Sequence, residues 1–144
     1  MPHVLRLRPL ALALAQARNI LGILAASRGE HGEAVTHLET SLALARAARD
    51  AGAEAAALNN LALALGAAGD VDRAFELTDA ALTVCSRLGD RHREAALRNN
   101  RADLFHLSGR REEAMAELKL AVALFAEIGE EGKLEPAIWK LSEW

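Results

Sequence analysis

Apolar and small residues recur along this chain at three- and four-residue spacing, the period of a helix face and not of a strand. Ala34, Leu38, Ser41, Leu42 and Ala45 form one such face. The pattern is interrupted at Gly29, Gly69, Gly89, Gly109 and Gly129. Glycine is the residue that most easily takes the left-handed conformation at a helix end. Asp70 and Asp90 follow two of these glycines and suit the N-cap of the next helix, where a carboxylate accepts otherwise unpaired backbone N–H groups. The spacing predicts helices over about 9–27, 30–50, 53–68, 70–88, 90–108 and 110–128. Residues 1–8 are expected as an irregular lead-in, Gly52 as a loop residue, and residues 134–144 as a shorter seventh helix with Pro136 in its first turn.

The interruptions are themselves periodic. Asn19, Asn59 and Asn99 are spaced by forty residues. So are Gly29, Gly69 and Gly109, and so are Ala34, Ala74 and Ala114. A fixed period of this length marks a stack of helix hairpins, each burying its apolar face against its neighbours. The repeats run over about 15–50, 53–89 and 91–129, followed by a half repeat, and all 144 residues are expected to form one all-α domain. The first predicted helix differs from the others in being apolar all round, at Leu10, Leu12, Leu14, Ile20, Leu21, Ile23 and Leu24. Such a helix needs cover on more than one side. A truncated stack or a self-association surface is therefore expected.

Composition narrows the chemistry. Hydrophobic residues make up 51% of the chain but aromatic ones only 3%, so helices must approach through Ala and Leu and not around rings. The formal net charge of -3 lacks the basic excess that nucleic-acid binding needs, and stacking aromatics are nearly absent, so a nucleic-acid partner is disfavoured. Arg6, Arg8, Gln16, Arg18 and Asn19 interrupt the apolar N-terminal stretch, which argues against a membrane span and a signal peptide. The single cysteine, Cys85, cannot form an internal disulfide and fits a cytoplasmic location.

The spacing from Asn60-Leu61-Ala62 through Gly69-Asp70 to Ala74 and Ala81 resembles the tetratricopeptide repeat. The resemblance covers about residues 15–129. It implies a right-handed superhelical array of antiparallel helix hairpins. It also implies that Gly22, Ala62 and Ala102 are small sites on first helices and Ala34, Ala74 and Ala114 small sites on second helices. Ser41, Ala81 and Ala121 match the site that packs on the following repeat. The forty-residue period exceeds the usual 34 by about one and a half helical turns. Longer repeats of this kind are similar to those of kinesin light chains and of the sensor arms of bacterial transcription regulators. The Ala/Leu/Arg-rich wording most resembles the bacterial group. The bulky aromatic site of the family is Ala25, Leu65 and Phe105 here. Arg101 stands where Leu21 and Leu61 are apolar, and its stem is expected to lie on the surface with the head in water.

The resemblance places a concave groove on the first helices. Its candidate binding residues are Asn19, Ile23, Asn59, Leu63, Asn99, Asp103 and His106. An Asn amide can meet an extended peptide backbone because it donates and accepts. Arg98, in the densest basic cluster, has the fork that recognises a carboxylate. Glu94, four residues before it in the favourable i,i+4 orientation, is the nearer expected partner for that fork. No catalytic constellation, metal-ligand spacing or cofactor motif is present in the sequence. His31 and His37 are six residues apart and do not share a helix face. The expected function is that of a non-catalytic protein- or peptide-binding scaffold, a cytoplasmic part of a larger bacterial regulatory protein. The alternative is a homo-oligomerisation module using the apolar first helix or the half repeat with Trp139 and Trp144.

Overall fold

The structure is a computed structural model that describes the backbone of residues 2–129 and the side chains of residues 7–129. Six helices follow one another: α1 (Pro2–Ser27), α2 (His31–Ala47), α3 (Ala51–Ala67), α4 (Val71–Leu88), α5 (Arg91–Leu107) and α6 (Arg111–Ile128). No strand occurs among the described residues. The fold is an all-α helical repeat. The expected seventh helix, 134–144, lies outside the described residues.

One turn chemistry joins these helices. In each of the five connections, a backbone N–H reaches back five residues to a carbonyl of the preceding helix. The bonds are Glu30 to Ala25, Asp50 to Ala45, Asp70 to Leu65, Asp90 to Cys85 and Arg110 to Phe105, at 2.8–3.1 Å. This is the Schellman closure, which requires a left-handed residue just before the donor. Glycine fills that position in four turns, with φ from 67° to 95°. In the α2–α3 turn it is Arg49, at φ 53°. Asp50, Asp70 and Asp90 then cap the helices they precede, accepting from the backbone N–H groups of Ala53, Arg73 and Arg93.

These turns correct three expected boundaries. The second helix ends at Ala47, not Asp50, because a bulky residue takes the left-handed position and no glycine announces it. Gly52 lies inside the first turn of α3 and not in a loop, since Asp50 already caps that helix. The lead-in expected over 1–8 is helical from Pro2, and Pro9 lies within α1. An internal proline removes one helical hydrogen bond, but it does not stop a helix that other turns continue.

The chain divides into two compact units, one up to Val84 and one from Cys85 on, with the division inside α4. In the first unit, α1 and α2 form a hairpin and α3 packs against both. Gly22 lets α1 close on α2: a Cβ at that position would lie 2.5 Å from Leu38 Cγ. The Ser41 hydroxyl donates to the Ala15 carbonyl at 2.6 Å, pinning the same pair. Ser41, a small buried site like its counterparts Ala81 and Ala121, thus also bonds within its own hairpin. In the second unit, α5 packs on α6. The small sites expected on the helices are all buried: Ala34, Ala62, Ala74, Ala81, Ala102, Ala114 and Ala121. Their size is what permits axis separations at the short end of the usual range.

Residues Leu7–Ser27 are long and apolar enough to cross a membrane by length and composition alone. One side of this helix is nevertheless committed to the fold, through Gly22 against Leu38 and through the Ser41–Ala15 bond.

Candidate functional site

In the first unit, α1, α2 and α3 enclose an apolar recess of about 140 Å³, lined by Ile23, Ala26, Leu38, Asn60, Leu63, Ala64 and Ala67. Ile23 and Leu63, both singled out from sequence, meet here. Each is about half exposed, at 46% and 45%. Their exposure is what keeps the recess open, and the small Ala26, Ala64 and Ala67 give it depth. A void of this size holds one branched aliphatic side chain or a group the size of benzene. All the lining residues are uncharged.

At the edge of the recess the Asn60 amide donates to Asn19 Oδ1 at 2.9 Å. Asn19 is thus bonded to Asn60, the neighbour of the in-register Asn59. Sequence pointed to the register asparagines and not to Asn60, although the doublet Asn59-Asn60 was visible. Which of the two faces α1 depends on the rotation of α3. Each amide has one donor nitrogen and one acceptor oxygen. The pair spends one of each and keeps the Asn19 NH2 donor and the Asn60 carbonyl oxygen, neither of which has another bond among the described residues. Exchanging the O and N of both side chains together keeps the bond and leaves the same capacity, one free donor and one free acceptor, with the two residues' roles reversed. Asn59 is half-buried on α3.

In the second unit, Asn99 and Asp103 are half-buried on α5 and His106 is exposed near its end. Arg98 is engaged locally. Its Nε donates to Glu94 at 3.0 Å and its Nη1 to the buried Glu117 of α6, also at 3.0 Å. Burial opposes its charge, but the bonds and charges of Glu94 and Glu117 outweigh that and raise its pKa. Two of the three guanidinium nitrogens are therefore engaged from within. Arg101 also leans on this cluster, with Nη1 3.7 Å from Glu117 and its guanidinium 5.3 Å from the centre of the Phe105 ring. Its head faces a carboxylate and an aromatic face, where the sequence suggested water. Arg110 lies over the same ring at 4.7 Å. Phe105 is itself buried, so two cations share one ring while Glu113 and Glu117 balance them.

Cys85 is buried, and burial first, then Asp90, push its thiol pKa up; Arg93 opposes them and Glu94 adds the least. A protonated, inaccessible thiol is a packing group. No group of three His, Cys, Asp or Glu side chains converges among the described residues.

Comparison with known proteins bears on this arrangement. A family model described as tetratricopeptide repeat matches residues 13–77 and again 53–127, two overlapping windows whose starts are forty residues apart. Among solved structures, the TPR domain of Arabidopsis FLU superposes with a TM-score of 0.76 at 19% identity, over 81% of this chain and 98% of that one. BtubC (BKLC) from P. vanneervenii gives 0.77 at 21%, over 94% of this chain and 57% of that one. A kinesin-light-chain-type protein from Podosopora anserina, with nearly identical TPR-like repeats, gives 0.76 at 22%, over 89% of this chain and 64% of that one. The chain thus spans less than two thirds of the length of the latter two. At these identities the likeness is one of fold. A search of curated proteins finds no match.

Proposed function

Because this chain belongs to the tetratricopeptide repeat family, whose members serve in general as non-catalytic protein-interaction scaffolds, we propose that it binds a protein or peptide through the α1/α3 face of its first unit. A single observation carries the reading: an uncharged apolar recess with a half-spent pair of amides on its rim. An aliphatic side chain of the ligand fills the space between Ile23 and Leu63. The peptide bond beside it donates to Asn60 Oδ1 and accepts from the Asn19 amide. Capture of backbone and side chain at one point needs little sequence in the ligand beyond the anchor. Asn59, and Asn99, Asp103 and His106 in the second unit, are proposed as further contact positions because they repeat the register of the first-helix residues. Arg98 is not retained as a carboxylate receptor, since Glu94 and Glu117 already take its Nε and Nη1 donors and balance its charge.

The same proposal places the module in the cytoplasm, as an arm of a larger bacterial regulatory protein. The Ala/Leu/Arg-rich repeat wording and the single cysteine support that part.

The test is selection from a displayed library of unstructured peptides, followed by affinity measurement with fluorescein-labelled winners. Leu, Ile or Met should be enriched at one position. Leu63→Glu should weaken binding by about tenfold or more, since a charge would enter an apolar recess. The helical circular-dichroism signal should not change. Winners that bind Leu63→Glu and Asn60→Ala as tightly as the parent chain would remove this face from consideration.

A further inference from the structure

We infer that the outer face of α1 is a docking face for α1 of a second copy, and that the two helices pair antiparallel. This rests on observations separate from the peptide-binding recess. Leu7, Leu10, Leu14, Ala17, Leu21 and Leu24 follow one another at intervals of 3, 4, 3, 4 and 3. That is the spacing of a two-helix seam. All six are exposed, the five leucines by 45 to 55%.

The internal repeat shows that the matching face of α3 is covered by a helix. Forty residues on, the positions matching Leu14, Ala17, Leu21 and Leu24 are Glu54, Ala57, Leu61 and Ala64 of α3. There Ala57, Leu61 and Ala64 are buried, and Glu54 pairs with Arg46 of α2 at 2.9 Å. The same face that α3 turns toward a neighbouring helix is open on α1. On α1 the glutamate is replaced by Leu14, so the occupant has no charge to meet.

Three features fit a second copy. The seam is self-complementary when reversed: Leu7 falls opposite Leu24 of the second copy, Leu10 opposite Leu21, and Leu14 opposite Ala17, and the reciprocal contacts repeat. A two-fold interface requires this equivalence. Charge also permits it. The only ionisable residues between Leu7 and Ser27 are Arg8 and Arg18, and both are turned back onto their own unit. Arg8 donates to the Ala48 carbonyl at 2.7 Å and Arg18 approaches His37 Nδ1 at 3.1 Å, so like charges do not meet across the seam. Finally, the exposed parts of these side chains amount to on the order of 500 Å² per copy, so the pair buries about 1,000 Å², the lower bound for a specific interface. The dimer is accordingly weak and concentration-dependent.

Sedimentation velocity from low micromolar to several hundred micromolar concentration tests this. The expected result is a reversible monomer–dimer equilibrium. Leu14→Glu with Leu21→Glu should raise its dissociation constant by about 100-fold or more while helicity is retained, because both side chains are half exposed in the monomer. Leu10→Cys with Leu21→Cys should cross-link into a dimer on mild oxidation. Those two positions stand about 16 Å apart on one helix, too far to bridge within one chain. A chain that stays monomeric at every concentration overturns the inference. So does a dimer indifferent to the glutamates, or one whose paired cysteines do not cross-link. Partition onto phosphatidylcholine vesicles through the same leucines, without dimerisation, overturns it as well.

Discussion

Gly22 shows how one side chain sets the spacing of a hairpin. Replacing it with alanine would gain helix propensity of up to about 1 kcal/mol. The added Cβ, however, would fall 2.5 Å from Leu38 Cγ and 2.7 Å from Cδ2, within a packed hairpin. Overpacking of that kind costs about 1–3 kcal/mol, so the clash should win. Gly22→Ala should lower the denaturation midpoint, and its cost should shrink when Leu38→Ala has already removed the obstacle. A double-mutant cycle read by urea unfolding measures that coupling. Equal cost in both backgrounds would mean that the two helices do not close through this contact.

Cys85 makes a pH-dependent prediction. Burial raises its thiol above the ordinary value of 9.0, so the folded chain holds this proton more tightly than the unfolded one. Its contribution to stability is therefore fully present below pH 9.0 and is lost as pH rises through the folded value. Urea midpoints at about pH 8 and about pH 10 should fall less in Cys85→Ala than in the parent chain. An identical alkaline decline would show that Cys85 carries none of it.

At the scale of the element, helix ends were legible where glycine and aspartate mark them. The α3–α4 turn at Gly69-Asp70 and the α4–α5 turn at Gly89-Asp90 fall where the sequence places them. The α2–α3 turn was misplaced because Arg49 occupies the position that glycine fills in the other four turns. A left-handed L-residue costs roughly 1–2 kcal/mol, offset in part by the entropy that glycine loses on folding. Arg49→Gly should thus stabilise the chain by about 0.5–1 kcal/mol, seen as a higher thermal midpoint. Pro9 misled in the opposite sense. Its preference for a first turn is statistical, and α1 extends through it.

The candidate site shows the same division. The pattern put Asn19, Ile23 and Leu63 on first-helix faces, and all three adjoin one recess. Asn60 was missed because neighbouring residues on a helix point about 100° apart, so a small rotation of α3 decides which of two asparagines meets α1. The Arg98–Glu94 pair was legible at i,i+4 spacing, but the second partner, Glu117, is nineteen residues away in sequence. Only the packing of α6 on α5 brings it near.

On the scale of the whole molecule, repeat proteins distribute stability as local terms, each repeat answering mainly to its neighbours. The division into two compact units implies that a lesson learned in one need not travel to the other. Glu117→Ala would leave Arg98 and Arg101 partly buried beside an empty place. Allowing for their residual exposure, that should cost about 2–4 kcal/mol. Amide hydrogen exchange should quicken first along α5 and α6, with α1–α3 protected as before. Uniform loss of protection over all six helices would mean that the chain unfolds as one cooperative block.

By itself, the sequence determined the all-α class, the forty-residue hairpin repeat, the family, and the burial of its small crossing residues. These depend on local periodicity and on turn chemistry, which act over a few residues and so are written in order along the chain. Tertiary structure alone decided that Asn19 pairs with Asn60, that Glu117 occupies Arg98, and that the leucine seam of α1 is open while its counterpart on α3 is covered. Each of those outcomes depends on how one helix is rotated and placed against another. A shift of one residue changes the side chain presented without changing the periodicity that makes the helix.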